Sequence, residues 1–143
     1  MTYYMAYGSN LNARQMAVRC PDAVPVASGK LPGWKLVFRR GFLTIERNKG
    51  SFVPVGIWAV SNNDLYNLDR YEGFPTFYRK EVMRIKCDDL VERDCLVYVM
   101  TEGHPVQAPS DRYFYTVRLG YNDFALDKMP LDKAYEAAKW PDD

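Results

Sequence analysis

Apolar and polar positions change period several times along this chain, and each change marks an element. Thr2 to Tyr7 is a short run of β-formers and aromatics that stops at Gly8-Ser9-Asn10. Asn12 suits the N-cap of a helix predicted over Asn12 to Arg19, with Leu11, Met16 and Val18 as apolar contacts and Pro21 as its stop. Pro21 to Gly29 is a connector that can hold a short strand at Val24 to Ala27. Trp34, Leu36 and Phe38 alternate with Lys35, Val37 and Arg39, which predicts a strand that Gly41 breaks. Phe42 to Glu46 is a second short strand, followed by a turn at Asn48-Lys49-Gly50. Phe52 to Val60 is almost continuously apolar but contains Pro54 and Gly56, so it reads as a buried strand with a bulge or bend of the kind barrel corners use.

The strongest helix signal comes next. Ser61 is a natural N-cap, Asp64 falls in the first turn, Leu65 and Leu68 form an apolar edge, and Gly73 sits where a left-handed C-cap is favoured. Glu72 is then the last or nearly last helical residue. Phe77 to Cys87 and Asp94 to Met100 alternate as two strands of a hairpin around Asp88-Asp89. Thr101 to Pro109 reads as loop, Ser110 caps a helix predicted to end at Gly120, and a last helix spans about Leu131 to Lys139. The sum is five to seven short strands and three or four helices. It predicts an α+β fold, a small mixed β-barrel-like sheet flanked by helices, in a single domain over residues 1–143.

Composition narrows the function classes. Hydrophobic residues make up 48% of the 143, 11 of them are tyrosines, and the formal net charge is +1, so nothing in the charge balance calls for nucleic acid or a membrane surface. No apolar run approaches the roughly 20 residues of a membrane span, and the first residues lack the pattern of a signal peptide. Cys20, Cys87 and Cys95 lack framework spacing, so reduced thiols and a cytoplasmic location are expected, although Cys87 and Cys95 flank the hairpin turn and have the option of facing each other. One histidine and no Cys-x-x-Cys leave no visible metal-ligand set.

Two segments carry candidate chemistry. A strand that stops at a glycine turn and restarts as a helix leaves several free N–H groups at one spot, which suits a carboxylate or a polarised carbonyl oxygen. The same segment also reads as a tight turn with no ligand. Glu72, at a helix C-terminus beside Tyr71, Phe74 and Phe77, is placed for a raised pKa, as a general acid or base needs. It also reads as a surface glutamate beside a C-cap glycine. Ser9 lacks a base, because His104, the one histidine, sits in Gly-His-Pro and no nucleophile elbow is present. The run Arg39, Arg40, Arg47, Lys49 is interrupted by Glu46 and reads as a solvated strand face. Tyr78, Tyr98 and Tyr113 have no local signature beyond packing.

Taken together, Tyr4-Met5-Ala6-Tyr7-Gly8-Ser9-Asn10-Leu11 and Leu68-Asp69-Arg70-Tyr71-Glu72-Gly73 resemble the Y-G-S-N-L signature and the acidic motif of the γ-glutamylcyclotransferase-like (AIG2-like) family. The strand at Tyr78 to Met83, the Cys-x-x-Tyr-x-Met strand at Cys95 to Met100, and Ala108 to Tyr113 continue the likeness over nearly the whole chain. The resemblance implies a small β-barrel with surrounding helices, a substrate loop of Tyr7, Gly8, Ser9, Asn10 and Leu11, and Glu72 as catalytic acid/base. It further implies a pocket lined by Tyr78, Tyr98 and Tyr113, with Tyr115 as a rival for the last. The implied reaction turns a small-molecule γ-glutamyl amide into 5-oxoproline and a free amine or amino acid. It needs no cofactor and no metal, and the implied protein is a monomer or homodimer. Phe74-Pro75-Thr76-Phe77 is placed to shape the leaving-group side. A non-catalytic binding member of the same fold is the alternative, and a tyrosine-rich interaction protein a third reading.

Overall fold

The computed structural model describes residues 1–141, so the last two residues of the expected 1–143 domain lie outside the described residues. The strands are β1 (Thr2–Ala6), β2 (Val24–Arg39), β3 (Phe42–Val60), β4 (Tyr78–Lys86) and β5 (Glu92–Met100). The helices are α1 (Ala13–Arg19), α2 (Asn62–Glu72), α3 (Asp111–Asp123) and α4 (Met129–Lys139), with a 3-10 turn at Ser9–Leu11. The strands form one sheet in the order β2-β3-β1-β5-β4. β1 runs parallel to β5 and every other pairing is antiparallel, so the sheet is mixed and the class is α+β as expected.

The sheet is open rather than a closed barrel. Its two edge strands approach at a single bridge, Gly29 with Cys87, beside an Asp88 N–H that donates to the Ser28 carbonyl at 2.8 Å. The curl comes from the β2–β3 ribbon. The separate short segments expected between Val24 and Val60 are two strands of 16 and 19 residues, paired almost end to end. A two-stranded ribbon of this length twists strongly. The bend expected at Pro54 and Gly56 lies elsewhere, because both residues hold register with Lys30 and Ser28. Register shifts instead between Pro25 and Ala27 and between Pro32 and Trp34. At the second, only Gly33 separates the paired positions on β2, whereas Asn48 to Ser51 separate them on β3, so the expected turn is a wide bulge.

Side chains of β1 (Tyr4, Met5, Ala6), β3 (Val53, Val55, Ile57) and β5 (Cys95, Val97) meet in one buried cluster, with Trp34, Leu36 and Phe38 from β2 on its flank. Leu68 of α2, Val117 and Tyr121 of α3, and Leu131 and Ala134 of α4 cover it. Cys95 pairs in register with Met83 rather than Cys87, and all three thiols are free and buried. Among the described residues no helix is long and apolar enough to cross a membrane.

Gly120 does not end α3 but lies inside it. A Cβ built there would sit 2.6 Å from the Asn12 backbone nitrogen and 2.7 Å from the Leu11 carbonyl carbon, so only a glycine lets α3 lie on the turn after β1. Backbone atoms cannot swing aside as a side-chain tip can. G120A is therefore expected to lower stability by about 3 kcal/mol in urea unfolding, above the ~1 kcal/mol that an Ala gains over Gly in a helix. An unchanged denaturation midpoint would contradict this packing.

Candidate active site

The turn after β1 is fixed by an unusual division of its polar groups. Four carbonyls in a row are taken from within. Tyr121 Oη donates to the Tyr7 carbonyl at 3.1 Å, and the Leu11 and Asn12 N–H groups donate to those of Gly8 and Ser9 at 3.0 Å each. Trp58 Nε1 donates to the Asn10 carbonyl at 2.8 Å. The N–H groups of Ser9 and Asn10 have no acceptor among the described residues. With its carbonyls turned inward and these donors left over, the turn presents the partial positive charge expected from its sequence.

α2 delivers the carboxylate. A capping box joins Ser61 and Asp64 at its start. At its end the Gly73 N–H donates to the Arg70 carbonyl and the Phe74 N–H to the Asp69 carbonyl, with Gly73 left-handed at φ 65°. This Schellman arrangement makes Glu72 the last helical residue, as the sequence indicated, and fixes its direction. Contacts between α1 and α2 run in opposite order. The end of α1 meets the middle of α2, where Asn67 Nδ2 donates to the Arg19 carbonyl at 3.1 Å. The residues before α1 meet the end of α2, where Asn10 Nδ2 donates to Glu72 Oε1 at 3.1 Å and to Tyr4 Oη at 2.8 Å.

Glu72, Gly8, Ser9 and Asn10 open onto a cavity of about 360 Å³. Tyr7, Tyr78, Tyr98 and Tyr113 line it too, so the residues expected from separate elements converge on one site. Their hydroxyls are engaged within the chain. Tyr7 donates to the Tyr98 carbonyl at 2.6 Å, Tyr78 to the Leu43 carbonyl at 2.7 Å, and Tyr98 to Asp69 Oδ1 at 2.6 Å. Tyr113 Oη accepts from the Leu43 N–H at 3.2 Å. Tyr115, the rival, is exposed. Leu11 is the residue of the predicted set that does not line the cavity. It is fully buried beneath the turn, against Gly56 and Gly120, and anchors the turn from below. Of the segment Phe74 to Phe77, only Phe77 reaches the wall.

Tyr4, Phe42, Leu43 and Tyr71 also line the cavity; of these the sequence singles out only Tyr71, as a neighbour of Glu72 that would desolvate it. Tyr4 and Tyr7 sit three apart, where strict strand alternation puts opposite faces. The chain leaves β1 at Ala6, which frees Tyr7 to turn in. Phe42 packs edge-to-face on both Phe77 and Tyr113, at centroid separations of 5.9 and 5.2 Å. Ser9 Oγ lies 3.0 Å from Tyr71 Oη, and His104 bonds Thr101 instead, so the two form no nucleophile–base pair.

Burial pushes the Glu72 carboxyl up to about 7, against the opposing pull of the Arg19 guanidinium and the Asn10 amide. The tyrosines move the same way. Burial raises Tyr4, Tyr7, Tyr78 and Tyr113 above their ordinary range, and the neighbouring Glu72 charge adds to it. Burial also raises Tyr98, helped by its bond to Asp69. Around neutral pH these hydroxyls stay protonated, so in this wall Glu72 is the group that changes charge. Among the described residues no group of three or more His, Cys, Asp or Glu is placed to hold a metal ion.

Comparison with known proteins identifies the family and the fold. Residues 4–116 match the profile of the family described as gamma-glutamyl cyclotransferase, AIG2-like. The gamma-glutamylcyclotransferase of Bos taurus is 28% identical over 135 residues, covering 86% of this chain and 71% of its own. That of Homo sapiens is 27% identical over 135 residues, with the same shares of both chains. A solved gamma-glutamyl cyclotransferase structure superposes with a TM-score of 0.80 over 99% of this chain and 88% of its own, at 24% identity, which shows a shared fold.

A carboxyl whose folded pKa is raised binds its proton more tightly in the native state than in the unfolded chain. Stability is then highest below the unfolded value of 4.5 and falls as pH rises through about 7. E72Q removes the ionisation. Relative to the parent, it is expected to gain roughly 3 kcal/mol above pH 8 and almost nothing below pH 4.5, measured as denaturation midpoints across pH. A pH-independent difference would mean that Glu72 titrates normally.

Proposed function

The chain belongs to the AIG2-like gamma-glutamyl cyclotransferase family, and from that premise we propose that it converts a γ-glutamyl amide into 5-oxoproline and a free amine or amino acid. The single observation that carries the reading is Glu72 beside the turn at Gly8–Asn10, inside a cavity the size of a small molecule. The reaction is an intramolecular aminolysis. The substrate's α-amino nitrogen bonds to its own γ-carbonyl carbon, and the bond from that carbon to the amide nitrogen breaks. The α-nitrogen arrives as an ammonium with three protons and keeps one as the lactam N–H. Glu72 relays the other two in turn to the departing nitrogen, which leaves as an ammonium, so the carboxylate is regenerated and the protons balance over one turnover. The N–H groups of Ser9 and Asn10 stabilise the oxygen of the tetrahedral intermediate. The tyrosine walls hold the substrate folded on itself, an orientation effect that replaces an enzyme nucleophile.

This reading accounts for a site with one ionising carboxyl and no nucleophile–base pair, because the attacking group arrives with the substrate. A carboxyl near 7 is divided between both forms at neutral pH, which is what a single acid/base group serving both half-reactions requires. The same site in a member without turnover would bind the substrate and leave it intact, and the test below separates the two.

Incubation with a panel of γ-glutamyl amides, followed by chromatography of 5-oxoproline, is expected to reveal turnover whose kcat/KM rises with pH through about 7. E72Q is expected to lower kcat by about a thousandfold while substrate still binds by calorimetry. Binding of the amides by the parent without any 5-oxoproline would assign a binding protein. A rate flat from pH 4 to 8 would remove Glu72 from the role of base.

A further inference from the structure

One charged side chain at the site is not used by the reaction just described. Arg19, in the last turn of α1, crosses back over the turn after β1. Its Nη1 donates to Asn10 Oδ1, and its Nη2 to Gln15 Oε1 at 2.8 Å. Its guanidinium carbon lies 3.4 Å from the centroid of the Tyr71 ring. It is half-buried, and among the described residues it makes no salt bridge with a carboxylate.

The consequence lies in the Asn10 amide. An amide has an accepting end and a donating end, and rotation by half a turn exchanges them. Tyr4 Oη can either accept or donate, so it does not select an orientation. Glu72 does not select one either, since a carboxylate accepts whereas its protonated form can donate. Arg19 can only donate, so the Asn10 end it meets must be the oxygen and the end facing Glu72 must be the NH2. We propose that Arg19 is a positioning residue: it locks the Asn10 amide so that Glu72 is always met by a donor, and thereby keeps that carboxyl available as the proton acceptor. Without it, the amide can turn and accept from protonated Glu72, which would hold the proton in place. The proposal rests on Glu72 acting as the base described above.

The other titratable groups facing Glu72 do not duplicate this. Tyr4 and Tyr7 from the β1 end, Tyr78 from β4, Tyr98 from β5, Tyr113 from α3 and neighbouring Tyr71 are all hydroxyls, and Asp69 behind Tyr98 is paired with Lys80 at 2.9 Å. Arg19 also lowers the Glu72 pKa directly through its charge, so the amide effect must be separated from the Coulomb effect.

A double-mutant cycle read by carbon-13 NMR titration of Glu72 makes that separation without any turnover. R19M is expected to raise the Glu72 midpoint by roughly one unit, and R19M placed on an N10A background by less than half as much. In assays, R19M is expected to lower kcat/KM at pH 7 roughly fivefold and to recover most of it at pH 9. R19Q and N10S replace either variant if its thermal transition shows that it is unfolded. An unchanged Glu72 midpoint in a folded R19M protein overturns the proposal. An equal shift in both backgrounds also overturns it, reducing Arg19 to a plain charge. A parent that turns over no γ-glutamyl amide, with the titration cycle as expected, sinks the cyclotransferase reading and leaves the positioning role standing.

Discussion

The arrangement depends on one hydrogen bond, from the Asn10 side-chain amide to the Glu72 carboxyl. It joins the end of α2 to the turn after β1, two segments 62 residues apart that nothing local holds together. A carboxyl in such a wall pays a desolvation penalty that a single neutral donor offsets only in part, which is why burial outweighs the Asn10 and Arg19 contributions. The structure tolerates this because both partners are fixed before they meet. Asn10 has its carbonyl held by Trp58 and its amide by Arg19, and Glu72 stands at a helix end closed by a left-handed glycine. Less rigid partners would let the carboxyl swing into water and return to an ordinary pKa.

The same economy governs the tyrosines. Their rings supply the apolar wall that raises Glu72, while most of their hydroxyls are spent on backbone carbonyls or on Asp69 rather than on the carboxyl. A hydroxyl donating directly to Glu72 would stabilise its charged form and undo the shift. Tyrosine, unlike phenylalanine, also ties the strands together at the cavity floor. Tyr7 reaches β5 and Tyr78 reaches β3, so the wall and the scaffold consist of the same side chains.

What the sequence disclosed follows from which interactions are local. α2 was readable to within about a residue of its end because its cap signals, Ser61, Asp64 and Gly73, act within one turn of the positions they fix. The alternation of Trp34, Leu36 and Phe38 likewise reports a half-buried strand directly. The reading failed where a residue answers to a distant neighbour. Gly120 looked like a helix stop but is there to admit the backbone of Leu11 and Asn12. Gly56 looked like a bend but leaves room for Leu11 and Phe124, whose atoms lie 2.7 and 2.6 Å from where its Cβ would be. Asn48 to Gly50 looked like a chain reversal and is a bulge within one continuous strand. Arg19 carried no signal at all, since nothing in its own helix shows that its side chain turns back onto the preceding turn.

The site residues divide along the same line. Glu72, Gly8, Ser9, Asn10 and the tyrosines at 7, 78, 98 and 113 were reached through a resemblance of whole motifs, and the cavity brings them together. Leu11 belongs to the same motif yet faces the core, which shows that a motif records two demands at once. Gly8 to Asn10 meet the cavity, whereas Leu11 meets the fold that holds them there. A turn whose carbonyls are all drawn inward needs an apolar anchor as firmly as it needs free donors. Without Leu11 seated between Gly56 and Gly120, the inward carbonyls would lose the geometry that leaves the Ser9 and Asn10 N–H groups without an acceptor among the described residues. Binding chemistry and core packing in this chain are therefore opposite faces of a single short turn.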